Sequence, residues 1–409
     1  MAQVRPYGET NADVRYALGL LEVLTGDAVG AVETLAPVAD RGGAAKLGLS
    51  LAVTALGHED AGRALRAAGI AELHADETTC FEDMLREEAM QFSLPSLPRR
   101  HWGEHMLALA RGKFEESARI CLAAGDLLPP HAPGAKVVRL RSGRMLPRWD
   151  GAHVRRLAVL FADGFGDAFM FARYLEPLRA KADELVAVVS TPIVPLAVQC
   201  LRDIAVCSLS DCSRELEQAD AYITEWPLPG MSGAGYSDAM WVTPAPDLIE
   251  RWRPEGPGPH VGVVWNGCLV NMHDNLRSIP VELLAPLFDV PGITWHSLQY
   301  GPKAAECPAG VIDHSPRLKN FADTAALIAG LDLVIAVDTA VANLTGAMGY
   351  PVAALVESTN QNDFRWGVSG ERSPWYPSAR VFRQERPGEW GPVIERVLAL
   401  ILFTWCSRN

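Results

Sequence analysis

Leu157-Ala158-Val159-Leu160-Phe161-Ala162-Asp163-Gly164-Phe165-Gly166-Asp167 is the stretch that decides the fold. Its first five residues are apolar without interruption, which suits a parallel strand buried on both faces and not a strand with one wet face. Residues 162–167 turn the chain, and Ala168 to Ala180 reads as a helix. Leu185 to Val189 is the next apolar run, so strand, helix and strand make a βαβ unit.

Toward the C-terminus, Ala205-Val206 and Ala221 to Ile223 supply further strands. Pro244 to His260 is crowded with Pro and Gly and predicts an interdomain linker. A second alternation then opens with strand Val261–Trp265. It continues through helix Val281–Phe288, strand Ile293–Leu298, helix Asp323–Ala329, strand Leu333–Val337, helix Thr339–Met348 and strand Val352–Val356. Two such series predict two doubly wound domains facing a cleft, with ligands at the carboxyl ends of the strands.

Toward the N-terminus the pattern changes. Behind a Pro-, Gly- and Arg-rich loop (Leu128 to Trp149), the apolar residues from Asp13 to Pro130 recur at helical spacing. Leu18-Gly19, Gly26-Asp27, Ala31 and Leu35 follow the tetratricopeptide pattern, in which a Gly-centred turn joins two helices that cross over small residues. Weaker copies lie at Leu56 to Leu65 and at Leu109 to Ala118. The expected organisation is a tetratricopeptide-like helical domain over 1–130, a linker over 131–150, and Rossmann-like domains over 151–247 and 258–409. His101 and His105 lie four apart with no acidic third ligand, so they read as a solvated helix face and not as a metal site.

The totals narrow the function classes. A formal net charge of −12 over 409 residues argues against nucleic acid as the main partner, because phosphate binding needs clustered Lys and Arg. The eight cysteines include no CxxC pair and predict free thiols in a reducing compartment. Neither a basic, apolar leader nor an apolar stretch long enough to span a bilayer is visible, so a cytoplasmic protein without a membrane span is expected.

Three groups of residues suit chemistry. Gly164 and Gly166 let backbone approach a ligand, and Asp167 at the helix start is either a general base for an acceptor hydroxyl or a helix cap. Dinucleotide binding fails twice: the turn lacks GxGxxG, and the second strand ends in Ser190-Thr191 without an acid for ribose. Asp338-Thr339 ends a buried strand and starts a helix whose small residues leave room for a phosphate at its positive end. Asn266 and Arg277 follow strand Val261–Trp265, and Arg277 suits a leaving diphosphate. Trp366, Trp375 and Tyr376 serve either for stacking on a base or sugar or for core packing.

In order along the chain these segments resemble a bacterial family of tetratricopeptide proteins that end in a glycosyltransferase domain. The domain is similar to ADP-heptose:lipopolysaccharide heptosyltransferases and, more distantly, to O-linked N-acetylglucosamine transferase. The matching stretches include Arg111 to Glu116, Trp149-Asp150-Gly151, Gly164 to Asp167 with Phe171 to Leu175, Val261 to Trp265, Leu276 to Pro280, Ser297-Leu298-Gln299, Phe321 to Ala326, Leu331 to Gly349 and Ser373 to Pro377. The resemblance implies a GT-B fold, with two Rossmann-like domains facing a cleft, and sugar transfer from a nucleotide-activated donor without metal or cofactor. It implies a base, Asp167, on the acceptor side, and Arg277, Asp323, Asp338 and Thr339 on the donor side. Asn266, Gln299 and Asn343 complete the candidate donor set. It also implies a protein acceptor presented by the helical repeats, flagellin among the precedents, or a glycan hydroxyl. The chain departs from the family at Asn343, where a His is usual, at Asp163-Gly164, where Gln-Gly is usual, and at Trp226-Pro227-Leu228-Pro229, in place of a Ser-Leu-Pro signature. The alternative reading is a scaffold that keeps the fold, binds a protein partner and has lost catalysis.

Overall fold

Alternate side chains of each apolar strand enter different cores, as the two-residue period of a strand requires. Leu157, Val159 and Phe161 pack into one cluster, while Ala158, Leu160 and Ala162 pack into another on the opposite face. The computed structural model describes residues 28–37, 49, 53, 56, 99–128, 132–236, 240–267, 274–358, 364–367 and 369–406. The chain divides into two compact units, 1–79 with 268–275, and 80–267 with 276–409.

In the first unit the helix α1 (Ala28–Leu35) buries Ala31, the small residue expected at a close helix crossing, and Leu35. The Leu18-Gly19 and Gly26-Asp27 positions of that repeat, and nearly all of the second copy, lie outside the described residues.

Among the described residues of the second unit a helical hairpin comes first, α2 (Arg99–Ala110) and α3 (Phe114–Gly125). Gly112 makes the turn with φ of 69°, a left-handed conformation that favours glycine. A small antiparallel ribbon follows, β1 (Val137–Arg139) with β2 (Met145–Pro147). The first parallel sheet comprises β3 (Val154–Leu160), β4 (Ala182–Val189), β5 (Ala205–Ser208) and β6 (Ala221–Thr224), in the order β5-β4-β3-β6. The second comprises β7 (His260–Val264), β8 (Thr294–Ser297), β9 (Ile312–Asp313), β10 (Leu333–Val337), β11 (Val352–Val356) and β12 (Ala379–Arg383), in the order β12-β11-β10-β7-β8-β9. All pairings within both sheets are parallel. Two parallel α/β sheets are the layout of a GT-B-type fold.

The helix expected over 168–180 is broken. α4 (Phe165–Phe171) starts three residues earlier and passes through a 3₁₀ turn, Ala172–Tyr174, into a last short helix, Leu175–Leu178. The segment expected as linker carries a helix of its own, α5 (Pro246–Trp252), started by Pro at its first position. Helix α6 (Phe321–Ile328) is capped by Asn320, and α7 (Ala340–Ala347) follows β10.

One core runs through both sheets. Val159 of β3 and Val334 and Ala336 of β10 belong to a single buried cluster, so the two halves of this unit share apolar packing. Arg173, almost fully buried, donates from Nη1 to the Trp375 carbonyl at 2.9 Å and from Nε to the Met170 carbonyl at 2.8 Å. Its guanidinium also lies 5.1 Å from the centre of the Tyr376 ring.

Candidate functional site

Strand order locates the crevices. In the first sheet β3, β4 and β5 proceed one way and β6 returns to the other side of β3. In the second, β7, β8 and β9 proceed one way and β10 returns to the other side of β7. Ligands of open α/β sheets bind at such reversals, outside the carboxyl ends of the strands. Asp163 follows β3 and Glu225 follows β6 at the first reversal; Asn266 follows β7 and Asp338-Thr339 follows β10 at the second.

The helices that leave these reversals meet. A Cβ built on Gly166 of α4 would lie 3.0 Å from Asn343 Nδ2 on α7, so any larger residue crowds this approach. Asn343 is buried and engaged at both ends of its amide. Its Nδ2 donates to the Thr339 carbonyl at 3.0 Å, and its Oδ1 accepts from the Tyr376 hydroxyl at 2.9 Å. Asp167, also buried, is paired with Arg365 of the second half, whose guanidinium lies 4.9 Å from the centre of the Phe364 ring. Asp167 Oδ2 sits 3.0 Å from where a Cβ on Gly164 would be, so Gly164 gives the carboxylate its place.

The donor-side residues divide by what their polar atoms already do. Arg277 Nη1 donates to the Asp338 carbonyl at 2.8 Å, which ties Arg277 to the end of β10. The buried Asn266 Oδ1 and Thr339 Oγ1 have no hydrogen-bond partner, although buried polar atoms normally find one. Thr339 precedes the first turn of α7 without capping it through its side chain, which leaves an uncapped positive helix end beside these two groups. Gln299 is spent on backbone. Its Oε1 accepts from the N–H groups of Trp265 and Asn266 at 3.2 and 3.0 Å, and its Nε2 donates to the carbonyls of Asn266 and Tyr300, both at 3.2 Å. It therefore clamps the loop that carries Asn266. Asp323 is likewise engaged, accepting from Trp252 Nε1 at 3.1 Å and the Lys319 N–H at 3.0 Å. It anchors the segment joining the halves and is not brought to the second reversal.

Several residues of the site are not in the candidate set. Asp163 accepts a hydrogen bond from Trp226 Nε1, and its own N–H donates to Glu225 Oε1 at 2.8 Å. Burial, and next the charge of Asp167, push the Asp163 carboxyl up to about 7, against the opposing influence of the Trp226 hydrogen bond and Arg365. Glu225 is 1% exposed, and burial followed by the charge of Asp163 raises its carboxyl well above the ordinary range. The signal was present in Thr224-Glu225-Trp226, an acid directly after the strand Ala221–Thr224, once the strand order makes that position a reversal.

One expectation changes and one open alternative is decided. His105 is not on a solvated face: it is fully buried, bonded to Ser117 Oγ at 2.8 Å and Cys121 Sγ at 3.0 Å, and edge-on to Trp226 at 5.4 Å. The α2–α3 hairpin packs that face on the first half. Trp366, Trp375 and Tyr376 are at most 1% exposed, so they belong to the core. Among the described residues no group of His, Cys, Asp and Glu is arranged to hold a metal ion, and no helix is long and apolar enough to cross a membrane.

Two parallel sheets with facing crevices define a class of α/β protein that binds ligands between its halves. Residues 305–395 match the family model for glycosyltransferase family 9 (heptosyltransferase). A curated relative, Protein FlbA of Caulobacter vibrioides, is 30% identical across 61% of this chain and 47% of its own length. The chain thus spans about half the length of that relative. Among solved structures, a family 9 glycosyl transferase from Veillonella parvula aligns at 11% identity and TM-score 0.41, covering 61% of this chain and 96% of that one. ADP-heptose LPS heptosyltransferase II of E. coli aligns at 13% identity and TM-score 0.42, covering 61% and 99%.

Proposed function

We propose that the protein transfers a sugar from a nucleotide-activated donor to a hydroxyl of a protein or glycan acceptor, with the helical N-terminal region presenting a protein acceptor. In this reading Asp167 takes the proton as the acceptor oxygen attacks the sugar, while Arg365 holds the carboxylate in one orientation. The departing diphosphate is met by Arg277, by the Thr339 hydroxyl and by the open end of α7, so that no step calls on a metal. Asn266 Oδ1 accepts from a hydroxyl of the donor. The observation that supports the reading is the approach of Gly166 on α4 to Asn343 on α7, the one next to Asp167 and the other one helical turn beyond the unpartnered Thr339 hydroxyl.

The test is the Asp167→Asn variant, with binding and turnover measured separately. A thermal-shift screen of the whole protein against nucleoside diphosphates and CMP identifies the nucleotide, since a ligand at about 100 times its Kd stabilises by about 2.7 kcal/mol. With the matching nucleotide sugar, Asp167→Asn is expected to keep the shift and lose turnover by at least about 100-fold. Full turnover in the variant removes Asp167 from the mechanism. A second reading, a scaffold without catalysis, draws on Asn343, whose amide is committed to Thr339 and Tyr376. Absence of any nucleotide shift favours it.

A further inference from the structure

We infer that Tyr300 is the stacking platform for the nucleobase of the donor, with the base at the end of β8 and the diphosphate two strands away, at the end of β10. The inference rests on the reading of this crevice as a nucleotide-sugar site and adds a residue outside the candidate set.

Register fixes where Tyr300 stands. Ser297 of β8, Val263 of β7 and Ile335 of β10 lie side by side in three neighbouring parallel strands. Three residues on from each come Tyr300, Asn266 and Asp338, and Thr339 follows the last. The strands run the same way, so these residues form one row along the carboxyl edge of the sheet, at the second reversal. Gln299 ties two of them together: its Nε2 donates to the carbonyls of both Asn266 and Tyr300, each at 3.2 Å. Gly301 turns the chain directly afterwards, with φ of 79°.

Tyr300 is 68% exposed, and among the described residues no hydrogen bond or aromatic ring engages its side chain. The other large exposed rings among those residues lie elsewhere. Tyr236 packs edge-on against Phe114 and Trp375, and Phe403 belongs to the C-terminal turn Leu402–Cys406. Next to Tyr300 in the row, Asn266 is 9% exposed with its Oδ1 unpartnered. Beyond Asn266 come the unpartnered Thr339 hydroxyl and the open end of α7. An aromatic face, a hydrogen-bond acceptor and an anion site, in that order, suit the base, the ribose hydroxyls and the diphosphate of one nucleotide. Neighbouring strands stand about 4.8 Å apart, so the row from β8 to β10 is about 10 Å long, which a nucleoside diphosphate spans. Every base has a π face, so Tyr300 supplies affinity and direction, and the choice of base falls to other groups.

Isothermal titration of the whole protein with ADP, GDP, UDP and CMP, in wild type, Tyr300→Ala and Tyr300→Phe, tests the assignment. Gln299 is held by the Tyr300 carbonyl, which both variants keep. For the nucleotide that wild type binds, Tyr300→Ala is expected to raise Kd about 5- to 100-fold, the range for one base stacked on one ring, while Tyr300→Phe stays within about twofold. The melting temperatures without ligand are expected to agree. An unchanged Kd in Tyr300→Ala overturns the inference, as does Tyr300→Phe binding as weakly as Tyr300→Ala. Weaker binding together with a lower melt without ligand assigns the loss to the loop and overturns it too. Wild type that binds none of the four nucleotides ends the nucleotide-sugar reading and the inference with it. Binding by wild type that Tyr300→Ala leaves intact ends the inference alone.

Discussion

His105 shows how a single residue's chemistry depends on what covers it. Burial holds its imidazole down to about 4, with only the Ser117 carbonyl opposing, so it is neutral in the fold at physiological pH. In the unfolded chain it titrates at about 6.5. Between those values the unfolded state binds the extra proton, so the stability that His105 contributes is complete above about 6.5 and is lost as pH falls toward 4. His296, held to about 4 by burial and its two histidine neighbours, and His314 act in the same direction. Urea melts at pH 7 and pH 4.5 are expected to show an acid loss that shrinks by up to about 3 kcal/mol in His105→Gln. An equal acid loss in the variant means that the ring is already charged in the fold. The His101–His105 spacing was legible along the chain, but their environment was not, because helical spacing identifies a face without saying what covers it.

At the scale of elements, two close approaches depend on glycine. Gly166 lies against Asn343, whose amide is pinned by Thr339 and Tyr376 and cannot give way. Gly166→Ala gains up to about 1 kcal/mol of helix propensity, but crowding costs about 1–3 kcal/mol. The expected result is a lower unfolding midpoint and weaker nucleotide binding, as α4 and α7 are pushed apart. Gly230, in the short helix Leu228–Met231, touches the Phe114 carbonyl of α3, so an added methyl group there strikes backbone. Gly230→Ala is expected to destabilise through the hairpin; a wild-type melt in either variant shows that the contact is not tight. The strands that hold these helices were readable from their apolar runs. The edge strands β9 and β12 were not, because two exposed residues and a mixed Ala-Arg-Val-Phe-Arg run carry little period-two signal.

For the molecule, Arg173 joins the halves of the second unit. Replacing it by Met leaves the Trp375 carbonyl without its charged donor, a loss of about 1.5–3 kcal/mol. Arg173→Met is therefore expected to melt lower, and limited proteolysis is expected to enter the 244–260 segment faster than in the wild type. Unchanged proteolysis means that the shared apolar core alone holds the halves. The sequence by itself determined the two strand–helix series, the turn that leads from β3 into α4 and the helix start at Asp338-Thr339, because burial on both faces and turn chemistry are local demands. Only the tertiary structure decided which of these residues share a crevice. Glu225 and Asp163 are 62 positions apart, and Arg365 and Asp167 are 198 apart. Their meeting follows from strand order and helix packing, and no period along the chain encodes either.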